Sequence, residues 1–346
     1  MSSFAAPADG RVALLEDGSL VVAADSSVRE LVEGWLPRIP VRPAGARHAA
    51  AIHVGPGAAP AAPPPADPEL RFFDVCGWID RARERVLLAD LAGRMGACVE
   101  LGPARAEVWI DPVAGAPAPR DVFAVLTMSA ALLLTRLERA LVHAAAVVAP
   151  GGGAWLLPGG SFNGKTSTCS TLIRGGWSYL CDDHAVLGAD AGGGVRAEGW
   201  PRPFHLDVGY LAGRSEGVRT RVDPDALAPG AWRRAAPVAG LLFPRVDADL
   251  PTRLSRLHPA AALGRLVAES PWLLADPPGA APVLGLLQRT AHLPAYELRL
   301  GRDCYCNPER LQMALEPAIC ATERPHALAG PENACGGALT GCPRFS

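Results

Sequence analysis

Lysine is almost missing from this chain. Of its 33 basic residues one, Lys165, is lysine and the other 32 are arginine. Alanine, glycine and proline are abundant, as expected when coding pressure turns lysine into arginine wherever the two are interchangeable. A lysine that survives such pressure marks a place where a compact ammonium fits and a planar guanidinium does not. Excess charge is missing too. A formal net charge of −2 gives no electrostatic reason to expect nucleic acid or an anionic membrane as partner.

No apolar run is long enough to span a bilayer. The longest, Val122 to Leu134, is followed by Arg136, Glu138 and Arg139, well short of the roughly 20 residues required. The opening MSSFAAPADGRVALLEDG lacks the basic patch and apolar core of a secretory signal. The nine cysteines are scattered and odd in number, and Cys304-Tyr305-Cys306 has no second ligand pair at zinc-site spacing. A cytoplasmic chain with reduced thiols is the expectation.

What is present reads as a folded α/β chain: 346 residues, 49% apolar and 20% charged. Residues 1–120 form a β-rich region whose position suits acceptor recognition. Val12–Leu15 and Leu20–Ala23 flank Asp17-Gly18 as a hairpin. Ser27 to Glu30 has the pattern of a capping box opening a short helix towards Trp35. Further strands are expected at Ala51–Val54, Ala97–Leu101 and Glu107–Ile110, and an exposed loop at Gly55–Pro68.

Residues 121–320 form the second region. Val122, Leu126, Leu133, Leu137 and Leu141 follow one helical stripe. Strands are expected at Ala144–Ala149, Ala154–Leu157, Trp177–Cys181, Ala185–Leu187, Val195–Glu198, Val238–Phe243 and Tyr296–Leu300. Helices are expected at Lys165–Arg174, Ala260–Ala268, Val283–Arg289 and Glu309–Leu315. Residues 321–346 read as a flexible tail.

The chemistry is concentrated in Gly159-Gly160-Ser161-Phe162-Asn163-Gly164-Lys165-Thr166, which fits G-x-x-x-x-G-K-[ST] at every defined position. An apolar strand enters this loop and a helix leaves it. Glycines let consecutive backbone N–H groups curl around an anion, and the helix start adds a positive dipole end. Lys165 would reach the β- and γ-phosphates and the Thr166 hydroxyl would bind Mg²⁺; Ser161 and Ser167 could also donate to phosphate. The only lysine among 33 basic residues falls on the motif's lysine position, which supports the motif without any alignment.

Seventeen residues beyond Lys165 a strand ends in Asp182-Asp183. Acid at the carboxyl edge of a sheet faces the nucleotide crevice. Asp182 is placed to hold the metal and Asp183 to accept a proton from an incoming hydroxyl, although the two roles could be exchanged. His184, Arg202, His205 and Arg245 are further candidates, although a solvated role is the commoner one for such arginines and a structural role for such histidines.

The stretch His143–Leu187, HAAAVVAPGGGAWLLPGGSFNGKTSTCSTLIRGGWSYLCDDHAVL, resembles the HPr kinase/phosphorylase family, in particular its free-standing HPr-kinase-like relatives. The short step from Lys165 to Asp182 is shared with that family and its distant phosphoenolpyruvate carboxykinase relatives. The resemblance implies a P-loop kinase core, ATP and Mg²⁺ as cofactors, and transfer to a serine hydroxyl of a protein or precursor peptide. It implicates Lys165, Thr166, Asp182 and Asp183, with His143 corresponding to a family histidine near the active site. On its own residues, His143 could equally cap a helix–strand junction. The glycine-rich Glu-Arg segment of true HPr kinases is not found; Glu198 and residues 199–204 stand in its place. Oligomeric state is left open, and the family often forms higher oligomers. Two other readings remain: a nucleotide-binding regulatory protein that transfers nothing, and an ATPase or GTPase with water as acceptor.

Overall fold

The computed structural model describes residues 11–35, 49–58, 67–111, 113–200, 202–207, 219–306 and 308–323. The expected tail from residue 324 onward, and most of the loop expected at 55–68, lie outside them. The first sheet has eight strands: β1 (Arg11–Ala13), β2 (Leu20–Ala24), β3 (Ala50–Pro56), β4 (Leu70–Phe72), β5 (Val75–Asp80), β6 (Arg85–Asp90), β7 (Met95–Glu100) and β8 (Arg105–Ile110). Their spatial order is β1-β2-β3-β8-β7-β6-β5-β4, with the β2–β3 and β3–β8 pairs parallel. Alternation sets the buried face. In β8, Ala106, Val108 and Ile110 are buried while Arg105 and Glu107 are exposed, the period of a half-covered strand.

Helix α1 (Arg29–Glu33) follows β2, and α2 (Pro119–Arg136) covers the buried face of the sheet. The expected capping box does not form. Helix α1 is preceded by Val28, which offers no side-chain cap, and Val28 N–H instead donates to the Asp25 carbonyl in a turn that buries the valine. The long helical stripe is also shorter than its spacing suggests. Helix α2 ends at Arg136, Glu138 takes a left-handed conformation with φ 55°, and Leu141 belongs to the next strand. Every residue of α2 from Ala124 to Thr135 is buried, because it is packed between β6–β8 on one side and the second sheet on the other.

The second sheet comprises β9 (Ala140–Val148), β10 (Ala154–Pro158), β11 (Ser178–Cys181), β12 (His184–Ala189), β13 (Val195–Gly199) and three later strands. A hairpin of β14 (Phe204–Asp207) and β15 (Arg219–Val222) lies between, followed by α4 (Pro224–Leu227). The later strands are β16 (Ala235–Val246), β17 (Arg253–Arg256) and β18 (Ala295–Leu300). The order is β10-β9-β12-β13-β16-β18-β17, with β11 also on β9. The long β16 pairs with β13 at its start, β10 at its middle and β18 at its end.

Helices α3 (Lys165–Arg174), α5 (Pro259–Ala268), α6 (Pro277–Ala291), α7 (Arg302–Cys306) and α8 (Pro308–Glu323) complete the fold, a mixed α/β architecture. Strand β9 shows how the layers divide. Ala144, Ala146 and Val148 join the core shared with α2, α5 and α6, whereas Ala145 and Val147 face the core of α3 and α8. The apolar cluster on the α2 side runs without a break from the first sheet into the second. Three polar contacts tie the same seam: Trp200 Nε1 to Leu14 O at 3.0 Å, Arg139 to Asp17 at 3.0 Å, and Arg202 to Trp35 O at 2.7 Å. Among the described residues no helix is long and apolar enough to cross a membrane.

Candidate functional site

Strand β9 organises the site by pairing on both edges at one level. On one edge β10 runs antiparallel until Pro158 meets Ala144, and the chain then leaves the sheet as the glycine loop. On the other edge β11 pairs down to Cys181 opposite Ala146, and β12 resumes with His184 opposite His143. Asp182 and Asp183 occupy the irregular step between them, and Ala144 N–H donates to the Asp183 carbonyl at 3.1 Å. The acid pair directly follows the carboxyl end of β11, where the residue order leads one to expect it. It sits where one strand hands over to another, a kink of the kind that re-aims side chains.

The loop turns on two glycines with positive φ, Gly159 at 157° and Gly164 at 92°. A Cβ on Gly159 would come within 3.1 Å of the Asn163 amide nitrogen, so a larger residue would crowd the turn as well as strain it. Helix α3 begins at Lys165 and anchors the loop by burying Cys169, Leu172 and Ile173. Ser161, Phe162 and Asn163 are exposed, whereas Thr166 and Ser167 are half-buried on the first turn.

Lys165 is 5% exposed. Its Nζ donates to the carbonyl oxygens of Gly159 and Gly160, the latter at 2.9 Å, and lies 3.3 Å from His143 Nε2. Burial draws its pKa below the ordinary lysine value, against the opposing pull of Asp183, Asp182 and Glu269. His143 Nδ1 is 3.1 Å from Glu269 Oε2. With the ring proton on Nδ1 towards Glu269, Nε2 keeps its lone pair for the ammonium. Glu269 is brought there by the end of α5: its carbonyl accepts from His143 N–H at 2.9 Å, and the next residue's hydroxyl, Ser270 Oγ, donates to Leu141 O at 3.1 Å.

Across β9, Thr166 Oγ1 donates to Asp182 Oδ2 at 3.1 Å. The other oxygen, Asp182 Oδ1, is buried without a hydrogen-bond partner. Burial first, and Asp183 second, push the Asp182 carboxyl well above the ordinary range, while Thr166, Lys165 and Arg219 pull it back. An orphaned buried oxygen costs about 1–3 kcal/mol. A cation at that spot would offset the penalty.

Behind the acids lies Arg202, buried, with its guanidinium 4.8 Å from the Phe123 ring centroid and 5.6 Å from that of Trp35. Burial draws it down to about 10, with Asp183 the largest opposing influence. His184 is buried between Phe123 and Trp200, at ring distances of 5.2 and 6.0 Å, and burial pushes it well below its ordinary range. It is a neutral ring behind the site. His205 and Arg245 are both exposed, on β14 and near the end of β16.

Two residues that no motif marks join the site. Glu269 is one, and Arg219, whose guanidinium lies 4.7 Å from the Phe162 ring centroid, is the other. Neither has a spacing signal, because each comes from a strand or helix end far along the chain.

No family model matches the chain, and no curated protein matches it. Among solved structures, an HPr(Ser) kinase/phosphatase from Coxiella burnetii aligns with 53% of this chain and 99% of its own, at 12% identity and a TM-score of 0.31.

Proposed function

We propose that the protein is a nucleotide-dependent phosphotransferase of the HPr-kinase-like kind, moving the γ-phosphate of ATP to a hydroxyl, a serine of a protein or precursor peptide. The observation that carries this reading is the seat of the sole lysine. Lys165 Nζ is held by carbonyls of a glycine loop, on the same level of β9 as a pair of acids, of which Asp182 accepts from the Thr166 hydroxyl. The ammonium bonds carbonyls of its own loop, and the phosphate oxygens of a bound nucleotide would take over from them.

Each side chain then has a task. Loop amides and Lys165 bind and orient the triphosphate. Asp183 takes the proton of the acceptor hydroxyl as that oxygen bonds to the γ-phosphorus, and the bond from phosphorus to the β–γ bridging oxygen breaks to release ADP. The Glu269–His143 pair helps hold the ammonium in place. For a divalent metal, the orphaned Asp182 oxygen beside the Thr166 hydroxyl is a fitting hard-oxygen seat. Among the described residues no group of three or more His, Cys, Asp or Glu side chains is placed to hold a metal by itself, so phosphate oxygens and water would complete the metal's shell. Bound there, Mg²⁺ would supply neutralisation of the phosphate charge.

The test is transfer from labelled ATP to candidate acceptor peptides by the wild type, Lys165→Ala and Asp183→Asn. Both substitutions are expected to lower transfer roughly 10²–10⁴-fold, so that none is seen at wild-type assay times. Transfer surviving both would refute these roles; nucleotide binding with no transfer to any acceptor would point to a regulatory binder, and steady phosphate release without acceptor to an ATPase.

A further inference from the structure

The tip of the glycine loop carries an oddity that phosphate gripping does not require. Phe162 is 79% exposed and adopts φ 67°, a left-handed conformation that a bulky side chain rarely takes. A large aromatic held out in solvent in a strained conformation calls for a partner. It has one: the Arg219 guanidinium, 4.7 Å from its ring centroid.

Arg219 opens β15, and the hairpin that presents it is firmly based. Phe204 and Leu206 of β14 are buried in the core of α3, and Phe204 meets the Tyr179 ring at 5.0 Å. The inner face of the hairpin is thus fixed, and Arg219, exposed on the other face, is delivered to the loop. The charge balance of the mouth makes this position useful. Asp182, Asp183 and Glu269 face one ammonium, Lys165. The nearby Arg202 is buried, bonded to Trp35 O and stacked between rings. A nucleoside triphosphate brings still more negative charge. Of the described basic residues around the loop, Arg219 is the exposed one with a planar fork that suits phosphate oxygens.

Resting on the phosphotransferase reading above, we infer that Arg219 is a phosphate-contacting residue directed at the terminal phosphate, and that Phe162 is the platform that positions its guanidinium over the loop. An arginine facing the terminal phosphate should discriminate triphosphate from diphosphate, which a solvated surface arginine does not do.

The experiment measures calorimetric affinities for ATP and ADP with Mg²⁺ on the full chain, for wild type, Arg219→Gln, Arg219→Lys and Phe162→Leu. Arg219→Gln is expected to weaken ATP about tenfold and leave ADP within about twofold, with the melting temperature unchanged. Arg219→Lys should recover part of the loss. Phe162→Leu, which keeps an apolar side chain but removes the ring face, should shift the ATP/ADP ratio the same way, about threefold. An ATP/ADP ratio unaltered in Arg219→Gln overturns the inference and leaves the phosphotransferase reading standing. A wild type that binds neither nucleotide overturns both.

Discussion

A pair of acids lies against each of the two sheets, Asp90 with Asp121 and Asp182 with the half-buried Asp183, and the pairs differ in what they face. In the first sheet Asp90 sits at the β6–β7 turn, where Oδ1 accepts from Arg94 N–H at 2.8 Å and Met95 N–H at 2.9 Å. Asp121, in the first turn of α2, lies close enough to be repelled by it. Both have a buried oxygen without a hydrogen bond, as Asp182 does. An orphaned carboxylate oxygen is therefore not enough to mark a site. Asp90 is explained by the turn it ties, whereas Asp182 and Asp183 converge with a buried ammonium, a hydroxyl on a helix start and a glycine loop. Convergence of different chemistries, not buried charge alone, separates the two.

The largest expected effect tests that contrast directly. Lys165→Ala or Asp183→Asn should lower transfer from ATP by roughly 10²–10⁴-fold, while Asp90→Asn leaves the rate of the folded protein unchanged. Equal losses at Asp90 and Asp183, measured at matched folded fraction, would erase the distinction between the pairs. Next in size, Asp90→Ala removes the acceptor for two backbone donors and should cost about 1–3 kcal/mol in a denaturant melt. The ratio of its ATP and ADP affinities should stay at the wild-type value.

Glu269→Gln should have a milder effect, about a tenfold fall in kcat with little change in melting, because it loosens the His143 ring that steadies Lys165. A variant as fast as wild type at every pH would remove Glu269 from the site. The smallest effect belongs to Asp121. Burial, with Asp90 next, raises its carboxyl above the ordinary 3.8, so the folded chain holds that proton more tightly than the unfolded one. Its favourable contribution is present in acid and lost as pH climbs from 3.8 through the raised value. Melts across this window should show Asp121→Asn losing less stability than wild type as pH rises; parallel curves would place Asp121 in a more solvated setting.

Much of the path to the site is legible in residue order. Helix α3 starts at Lys165 and ends at Arg174 as its pattern predicts, because Gly164 and Gly175-Gly176 bracket it and its apolar residues recur at helical spacing. Strands β9 and β10 follow from short apolar runs on either side of a glycine turn. Other features are hidden for physical reasons. Spacing carries the α2 stripe on to Leu141, but Glu138 turns left-handed and β12 captures Leu141 in its ladder opposite Val186. The capping pattern at Ser27 fails because burying Val28 outweighs a surface cap. The hairpin β14–β15 and edge strand β17 are short and carry exposed arginines, so they show no periodic signal.

Sequence by itself determined the loop, its following helix, the lone lysine and the adjacent acids, because these lie within 25 residues and rest on local geometry. Tertiary structure decided the rest. Pairing on both edges of β9 set Asp182 and Asp183 opposite the loop, and the end of α5 brought Glu269 to His143 from 126 positions away. Arg219 reached Phe162 only through a hairpin seated on the core of α3. Those approaches depend on which apolar faces pack together, and packing is a property of the whole chain.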